Sequence, residues 1–282
     1  MKSDQLGKAA VAKKGWLLAN RFLLLRRISQ GFILILFLLG PLAGVWIIQG
    51  NLSSSLLMQT IPFSDPFILL QSVAAGFQPL WQALLGMLIV LFFYLIVGGR
   101  VFCSWVCPIN LITDAAAWLR RKLKLRKERV ISRDWRYWIL AMVIILPIFT
   151  GVMSWELINP VSAFHRGLFF GMGFGWILFL MIFIFDFIAV EKGWCGHLCP
   201  MGAFYSLINR FSLIKVAALN REKCTNCLDC FDVCPEPDVL KDPVHGSEST
   251  LVSDINCTNC GRCIDVCAED VFIITTVLHG KK

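Results

Sequence analysis

The sequence predicts an all-α membrane domain of four helices, arranged as two duplicated hairpins, followed by a small cysteine-rich α+β domain. Three observations support this fold class. The chain of 282 residues is 57% hydrophobic, which is too apolar for a soluble domain of ordinary composition. Four apolar stretches have about the 20 residues that a bilayer requires. Eight of the twelve cysteines fall within residues 224–267, beyond the last apolar stretch.

The N-terminal segment, residues 1–27, is polar and basic and carries seven Lys and Arg residues. A secretory signal would place its apolar run earlier and end it at a small-residue cleavage site. This segment instead precedes a full-length apolar stretch. We therefore expect an uncleaved membrane anchor preceded by a basic cytoplasmic tail.

The membrane domain is predicted over residues 28–212. Its four spans are expected at residues 28–48, 80–97, 137–158 and 167–190. A shorter apolar stretch at residues 66–76 is interrupted by Gln71 and cannot cross a bilayer. We predict that it is an interfacial or re-entrant piece of the loop between the first two spans.

Positive charge is distributed unevenly between the loops. The N-terminal tail carries seven Lys and Arg residues and the segment 100–136 carries ten, whereas the segment 50–79 has none. Because Lys and Arg stay on the cytoplasmic side, we expect both termini, the middle loop and the C-terminal domain in the cytoplasm. This segregation accounts for the formal net charge of +8, so no nucleic-acid partner is expected.

The C-terminal domain, predicted over residues 213–282, contains a doubled cysteine motif. Each copy has the spacing C-x2-C-x2-C-x3-C, which is that of the bacterial two-cluster ferredoxin run. Three closely spaced thiolates wrap one cubane, and the fourth thiolate points away and ligates the other. Two [4Fe-4S] sites are therefore predicted, one at Cys224, Cys227, Cys230 and Cys267, the other at Cys257, Cys260, Cys263 and Cys234.

A disulfide framework and a pair of zinc sites are the alternatives for these eight cysteines. Zinc sites usually show two CxxC pairs separated by a loop, and a disulfide framework needs an oxidising compartment. All twelve cysteines fall into motifs, which favours metal-bound thiolates in a reducing compartment. Clusters of this type usually pass single electrons, so we expect a ferredoxin-like, electron-conducting domain.

A second cysteine pattern follows the second and the fourth predicted span. Both copies read aromatic-Cys-x3-Cys-Pro, at Cys103 and Cys107 and again at Cys195 and Cys199, and an amphipathic stretch follows each. This repetition predicts the duplicated hairpin. Cysteines four apart share one helical face, so the two pairs together could hold a third cluster. A redox-active dithiol pair and cysteines that merely pack are the alternatives.

The catalytic residues are not assigned by the sequence. His197, inside the second motif, is a redox candidate with the four cysteines, since it could ligate a metal or hydrogen-bond a quinone. The alternative is an ordinary helix-terminal histidine. His165 and Glu156 lie near the external ends of the third and fourth spans, where they could face a quinol or a wetted loop.

Over almost the whole chain, these features resemble the NapH family of membrane-bound ferredoxin-type proteins of periplasmic nitrate reductase systems. The resemblance rests on both Cys-x3-Cys-Pro motifs and on the segment after the last cysteine. Two loop segments also look like that family's. The sequences are FCSWVCP at 102–108, GWCGHLCP at 193–200, AEDVF at 268–272, GNLSSSLL at 50–57 and WELINPV at 155–161.

The resemblance implies a quinol dehydrogenase component, multi-pass in the bacterial inner membrane. It would pass electrons from quinol, with an extracytoplasmic ferredoxin-type subunit, toward nitrate reductase. It carries the eight cluster ligands over directly. Ala268 replaces the proline of the ferredoxin run, which affects the shape of that loop but no ligand.

Two alternatives stay open: a membrane ferredoxin that serves another reductase, and a maturation or anchoring protein whose clusters are not in the turnover path. The charge distribution places the clusters in the cytoplasm, whereas the nitrate reductase of this family is on the other side. Electrons would then have to cross the membrane.

Overall fold

The computed structural model describes residues 6–125, 131–246 and 249–277, and it is mostly helical. The longer helices are α2 (Arg21–Ala43), α4 (Trp81–Val97), α5 (Ile109–Lys122), α6 (Trp135–Thr150), α8 (Pro160–Phe170), α9 (Gly175–Ile188) and α10 (Pro200–Asn209). The shorter ones are α1 (Lys8–Lys14), α3 (Pro66–Ala74), α7 (Ser154–Ile158), α11 (Asp229–Val233), α12 (Lys241–His245) and α13 (Arg262–Val266). The strands are β1 (Ile48–Gly50), β2 (Ser54–Leu57), β3 (Ile61–Ser64), β4 (Ile214–Ala217) and β5 (Ile273–Thr276).

The four predicted spans correspond to the apolar helices α2, α4, α6 and α9. Within the described residues, one helical stretch, 18–43, is long and apolar enough by itself to cross a membrane. The other three helices have 17, 16 and 14 residues. Four membrane crossings therefore stay a prediction.

Glycines set helix ends that the hydropathy pattern missed. The third span was expected to run to residue 158, but α6 ends at Thr150 because Gly151 has a φ of 66°. The fourth was expected from residue 167, which lies within α8. Gly171 ends α8 with a φ of 87°, and α9 begins only at Gly175. An uninterrupted apolar run hides such breaks, because glycine counts as neither polar nor charged.

The connection between α2 and α4 is a three-stranded antiparallel meander, β1-β2-β3, followed by α3. Strand β3 lies directly against α4. A Cβ added to Gly86 would stand 2.9 Å from the backbone nitrogen of Ser64, so only glycine permits this approach. Helix α3, in the stretch predicted to be interfacial or re-entrant, packs on α4 and on α6.

Helices α3 and α8 begin in the same way. The Asp65 side chain accepts hydrogen bonds at the N-terminus of α3, and Pro66 is its first residue. Asn159 and Pro160 repeat this arrangement in α8. The Asx side chain accepts hydrogen bonds from free N–H groups of the first helical turn. Proline suits the first helical position because its φ is fixed near the helical value and it has no N–H to satisfy. The duplicated unit therefore includes a short Asx-Pro-capped helix between its two apolar helices.

The amphipathic helices that follow the two motifs contact both repeats. Helix α5, which follows the first Cys-x3-Cys-Pro motif, packs along α9 of the second repeat. Helix α10, which follows the second motif, packs on α4 of the first repeat and on α6. The two cysteine motifs are consequently held between the repeats.

The C-terminal region forms the predicted α+β unit. Strands β4 and β5 pair antiparallel, with Ile214 opposite Thr276 and Ala217 opposite Ile273. Helices α11 and α13 pack on each other. Apolar side chains from the strands, the helices and the intervening loop form a separate core that includes Val216, Leu240, Val252, Ile264, Val271 and Phe272.

The N-terminal segment lies on this C-terminal unit. The Lys13 Nζ is 2.6 Å from Glu269 Oε2, and the backbone N–H of Gly7 donates to Asp229 Oδ2 at 3.0 Å. Asp265 accepts the N–H groups of the second and third residues of α2, both at 3.1 Å. Where the predicted basic tail is described, it is thus packed on the cysteine-rich unit, while its first five residues lie outside the described residues.

Candidate functional site

The first cysteine cavity is lined by the first three cysteines of one motif and the last cysteine of the other. These are Cys224, Cys227, Cys230 and Cys267. The cavity has a volume of about 270 Å³, and Ala9 of α1 completes its wall. Between the cysteines the chain turns tightly, because Asn226 and Leu228 have φ values of 55° and 65°. Cys227 is exposed.

The second cavity has the reciprocal lining, Cys257, Cys260, Cys263 and Cys234. Its loop repeats the two left-handed residues, with Asn259 at a φ of 46° and Gly261 at 73°. A Cβ on Gly261 would stand 2.3 Å from the ring of Phe22, so this position requires glycine. The cavity is narrower than the first, at about 20 Å³.

The fold brings together the two groups of four cysteines that the spacing predicted. Among the described residues, no three His, Cys, Asp or Glu side chains converge closely enough to chelate a single ion. A cubane is held differently, since each thiolate binds a separate iron corner and the four sulfurs stand around the core. The feature of each cavity that matches a cubane is its lining of four cysteine side chains.

Raised pKa values are found for Cys230 in the first cavity and for Cys234, Cys257 and Cys263 in the second. Burial and the neighbouring thiols raise the pKa of Cys230 to about 12, and burial raises that of Cys257 to about 12. The pKa values of Cys234 and Cys263 are raised well above the ordinary value for the same reason. Thiolates crowded in this way need a bound cation to neutralise them, and a coordinating metal deprotonates its thiols outright. The donor sets therefore fit iron–sulfur clusters.

Each Cys-x3-Cys-Pro motif forms a wide π-helical turn with an i→i−5 hydrogen bond. The N–H of Cys107 donates to the Phe102 carbonyl at 2.9 Å, and that of Cys199 donates to the Trp194 carbonyl at 2.9 Å. Such turns are rare and frequently mark functional sites. Asp186 fixes the start of the second turn, because it accepts the N–H of Trp194 at 2.8 Å.

The two turns bring their cysteine pairs together. Besides burial, Cys103 and Cys199 raise the pKa of Cys107, and the other three thiols raise that of Cys195. Burial and Cys103 raise the pKa of Cys199 to about 12. The predicted grouping of Cys103, Cys107, Cys195 and Cys199 is therefore present at the junction of the repeats.

Arg100 joins this group of four cysteines, which we call the junction cysteines, to the second cavity. Its guanidinium hydrogen-bonds the Cys103 thiol and donates to the Cys195 carbonyl at 3.4 Å. It also donates to Glu236 Oε1 at 3.0 Å and to the Asn256 carbonyl at 2.6 Å. Glu236 lies two residues after Cys234, and Asn256 immediately precedes Cys257.

Further hydrogen bonds seat the second ferredoxin-like loop on the first π-helical turn. The Ser104 hydroxyl donates to the Thr258 carbonyl at 2.8 Å, and the Trp105 indole donates to the Asn259 carbonyl at 3.2 Å. The Asn259 side chain in turn donates to the Val97 carbonyl at 3.0 Å. The second cavity is therefore adjacent to the junction cysteines, and the first cavity lies against α1.

Comparison with known protein families agrees with this assignment of the cysteine regions. The family described as a 4Fe-4S binding domain matches residues 80–126 and 172–217, which contain the two Cys-x3-Cys-Pro motifs. The family described as a 4Fe-4S dicluster domain matches residues 217–268. No solved structure matches the chain.

Similar proteins extend over most of the chain. The ferredoxin-type protein NapH of Escherichia coli is 50% identical over 96% of this chain and 94% of its own length. NapH of Haemophilus influenzae is 52% identical, over 87% and 86% respectively. The chain belongs to the ferredoxin-type NapH family. The methylamine utilization ferredoxin-type protein MauN of Methylorubrum extorquens is also similar, with 47% identity over 86% of this chain and 84% of its own.

Membership of the NapH family confirms the predicted resemblance. With the 4Fe-4S domain matches, it identifies this chain as an iron–sulfur electron-transfer protein. The chain spans nearly the full length of its NapH relative from Escherichia coli.

His197, the fifth redox candidate, lies within the second π-helical turn and near Glu236. Its side chain is buried, and its Nδ1 has no hydrogen-bond partner among the described residues. Burial lowers the pKa of His197, although the nearby Glu236 opposes this effect. The structure therefore places His197 near the end of its π-helical turn, buried and beside Glu236.

The ion pairs of Glu236 with Arg100, Arg136 and Arg133, which we call the ionic junction, were not predicted from the sequence. Besides its ion pair with Arg100, Glu236 forms two more. Its Oε1 is 3.4 Å from Arg136 Nη1, and its Oε2 is 3.2 Å from Arg133 Nε. The sequence places Glu236 in an acidic stretch and Arg136 in a basic loop, 100 residues apart. Only one local signal was available, the position of Arg100 and Glu236 directly beside cysteine motifs.

Proposed function

We propose that this NapH-family protein is a membrane-bound electron carrier that takes electrons from quinol. It passes them toward periplasmic nitrate reductase with an extracytoplasmic ferredoxin-type subunit. The observation that carries the proposal is the reciprocal lining of the two cysteine cavities, together with the seating of the second cavity on the junction cysteines.

The proposed ligands follow the two linings. One [4Fe-4S] cluster is held by Cys224, Cys227, Cys230 and Cys267, the other by Cys257, Cys260, Cys263 and Cys234. Such a cluster supplies one-electron redox chemistry. The protein contributes the crowded thiols, the left-handed loop residues that wrap them and the buried arginines beside the second set.

The proposal includes four membrane spans within residues 28–212. Helix α4 has 17 residues, and at 1.5 Å per residue it rises about 25 Å, somewhat less than the ~30 Å of a hydrocarbon core. Large apolar side chains on α4 and α6, including Phe92, Trp138 and Phe149, are exposed, as expected of surfaces that face lipid. The Lys and Arg distribution favours cytoplasmic termini and a cytoplasmic ferredoxin-like domain at residues 213–282.

The proposal also includes a third cluster at the junction cysteines Cys103, Cys107, Cys195 and Cys199. The family described as a 4Fe-4S binding domain matches both π-helical turns, which supports metal binding over inert packing. The positive charge of Arg100, whose guanidinium hydrogen-bonds the Cys103 thiol, also suits a bound anionic cluster.

Iron and acid-labile sulfide per anaerobically purified chain test the cofactor content, with EPR after addition of decylubiquinol. Three cubanes correspond to about twelve irons, two to about eight. Replacing Cys103 and Cys199 with serine should remove about four irons from the junction and leave the signals of the other clusters. Replacing Cys227 with serine is the control that affects the exposed first cavity instead. Clusters that stay oxidised with quinol and partners present would contradict the dehydrogenase proposal and favour a maturation or anchoring role.

A second candidate function follows from the MauN relative, whose name assigns it to methylamine utilization. Its 47% identity is close to the values for the NapH relatives, so similarity alone does not choose between the two systems. The chain would then serve as a membrane ferredoxin for a different redox system. Cross-linking in membranes, with identification of the captured redox subunit, distinguishes the two.

A further inference from the structure

Asp65 is a buried carboxylate at the start of α3. Its Oδ1 accepts the N–H groups of Phe67 at 2.8 Å and Ile68 at 3.3 Å. Its Oδ2 accepts the hydroxyl of Tyr205, a fully buried residue of α10, at 3.0 Å. A capping carboxylate needs only the backbone donors, so the phenol of Tyr205 is an addition that capping does not explain.

Two buried polar side chains, one on α3 and one on α7, have polar atoms without a partner among the described residues. Neither the amide oxygen nor the amide nitrogen of Gln71 has a hydrogen-bond partner among the described residues, and the same is true of the Trp155 indole nitrogen. Gln71 is four residues after Phe67 on α3, hence on the same helical face. Phe67, Trp155 and Tyr205 belong to one packed cluster. Unpartnered buried polar groups are rare and call for an explanation such as a ligand.

This aromatic cluster also reaches the junction cysteines. The Tyr205 ring stacks on Phe102, with ring centroids 5.3 Å apart, and Phe102 immediately precedes Cys103. The Tyr94 ring lies 5.2 Å from that of Tyr205. One aromatic layer therefore separates the Asp65 carboxylate from the junction cysteines.

We propose that Asp65, Gln71, Trp155 and Tyr205 form the head-group site at which quinol is bound and oxidised. This inference rests on the quinol-dependent function proposed above. A quinol head group is a flat ring with oxygens at opposite ends, so it needs aromatic surfaces and hydrogen-bonding groups at both ends. The cluster supplies the surfaces, the Gln71 amide supplies a donor and an acceptor, and Asp65 supplies a base.

The reaction is oxidation of quinol to quinone, in which both O–H bonds break. The two electrons would leave one at a time to oxidised [4Fe-4S] clusters, which the cysteine sets described above would hold and which supply one-electron redox chemistry. Each proton passes to Asp65 by way of the Tyr205 hydroxyl and leaves through Glu156, which is close enough to raise the pKa of Asp65. Glu156 pairs with the exposed Arg166 at 3.4 Å, so this route ends at solvent.

The charge state of Asp65 suits a proton acceptor. Burial raises its pKa to about 6, and the hydrogen bonds from Tyr205 and the backbone limit the increase. The titratable groups that face it are Tyr205 of α10, Tyr94 of α4 and Glu156 of α7. The carboxylate is consequently ionised at neutral pH and takes up a proton readily.

The second repeat lacks this acid. Asn159 and His165 stand where Asp65 and Gln71 stand, one residue before and five residues after the capping proline. His165 Nε2 is also without a partner among the described residues. An amide at the cap cannot accept a proton, so proton-coupled oxidation is assigned to the first repeat.

The test uses the full cluster-loaded chain in nanodiscs, with decylubiquinone binding followed by tryptophan quenching and decylubiquinol reduction followed by EPR. Gln71→Leu removes polar atoms that have no partner in the described part of the chain, so the melting temperature should not fall. We expect its affinity for decylubiquinone to drop at least tenfold. Asp65→Asn should keep binding and lower the reduction rate about a hundredfold, the usual scale for loss of a general base. Dithionite-reduced EPR spectra should match wild type in both variants.

Gln78→Leu is the matched control, since Gln78 is exposed in the same segment. His165→Leu tests the corresponding position of the second repeat. If Gln71→Leu binds decylubiquinone and is reduced by decylubiquinol as wild type is, the proposed site is wrong but the proposed function stands. The same conclusion follows if His165→Leu alone loses decylubiquinone binding. Wild-type clusters that decylubiquinol does not reduce overturn the proposed function and this inference with it.

Discussion

Removal of the Glu236 charge should loosen the seating of the ferredoxin-like unit on the membrane domain. The Glu236 side chain is 2% exposed, and it faces Arg100 and Arg136, which are 2% and 0% exposed. Burial disfavours the charge of Arg100, but Glu236 and Cys103 more than offset this and raise the pKa of Arg100. Without Glu236, two buried guanidinium groups would lose their carboxylate.

The expected magnitude follows from the burial of both partners. Breaking a buried ion pair by removing one partner costs about 3–5 kcal/mol. Glu236→Gln keeps a carbonyl acceptor, so the lower end, about 3 kcal/mol, applies. At 1.4 kcal/mol per factor of ten, opening of the junction should become roughly a hundredfold more frequent.

Hydrogen exchange of the segment 254–261 in the purified chain measures that opening, and the thermal midpoint reports the stability loss. Asp238→Asn is the matched control. It removes the same charge two residues later, but Asp238 is 48% exposed and pairs with Arg133 and Lys241 at the surface. Exposed pairs contribute about 0–1 kcal/mol. Equal exchange rates in Glu236→Gln and Asp238→Asn would refute the reasoning.

Three further predictions concern the ferredoxin-like loops and Asp65. Gly261→Ala should impair folding and lower iron content, because the new Cβ meets the Phe22 ring at 2.3 Å and a φ of 73° disfavours alanine; a wild-type iron-to-protein ratio would contradict this. Asp265→Ala should cost about 1–3 kcal/mol and expose the start of α2 to proteolysis, because two backbone N–H groups lose their acceptor; an unchanged cleavage pattern would count against it. The rate of quinol-driven reduction should rise with pH through about 6, as the Asp65 carboxyl deprotonates, and this rise should be absent in Asp65→Asn when stopped-flow rates are compared.

The sequence was most informative about the cysteines. The reciprocal grouping in the two cavities could be predicted, because the x2-x2-x3 spacing fixes where each thiol points along a short loop. The duplicated Cys-x3-Cys-Pro motif likewise predicted that its two copies occupy matching places. Both predictions used local patterns that need no knowledge of distant contacts.

The contacts that hold the cysteine regions together could not be predicted in this way. Glu236 and Arg100 are 136 residues apart, and no periodicity links them. Asp229 lies within one cysteine motif and Glu269 just after the other, yet in the fold both carboxylates hold the N-terminal segment. Pairing of charges over such separations depends on the tertiary fold.

The apolar face of α5 shows a different limit of sequence patterns. Hydrophobic periodicity places Leu111, Trp118 and Leu123 on one face, but these side chains are exposed. The buried face instead holds small and polar residues, among them Thr113 and Ala117. At a membrane surface the most apolar face can turn outward, whereas small residues allow close packing of helices inside.

The duplicated scaffold carries different chemistry in its two copies, and the differences fall at matched positions. Six residues after the second cysteine of each motif stand Tyr205 in one copy and Thr113 in the other, so a phenol reaches the first Asx cap alone. Between the cysteines, Ser104 and Trp105 bind the ferredoxin-like loop, whereas the second motif places His197 beside Glu236. Duplication thus explains the symmetric framework that gathers the junction cysteines. Differences at a few matched sites make the first repeat polar and acidic around α3. The second cysteine cavity is also seated on the first repeat, through Ser104.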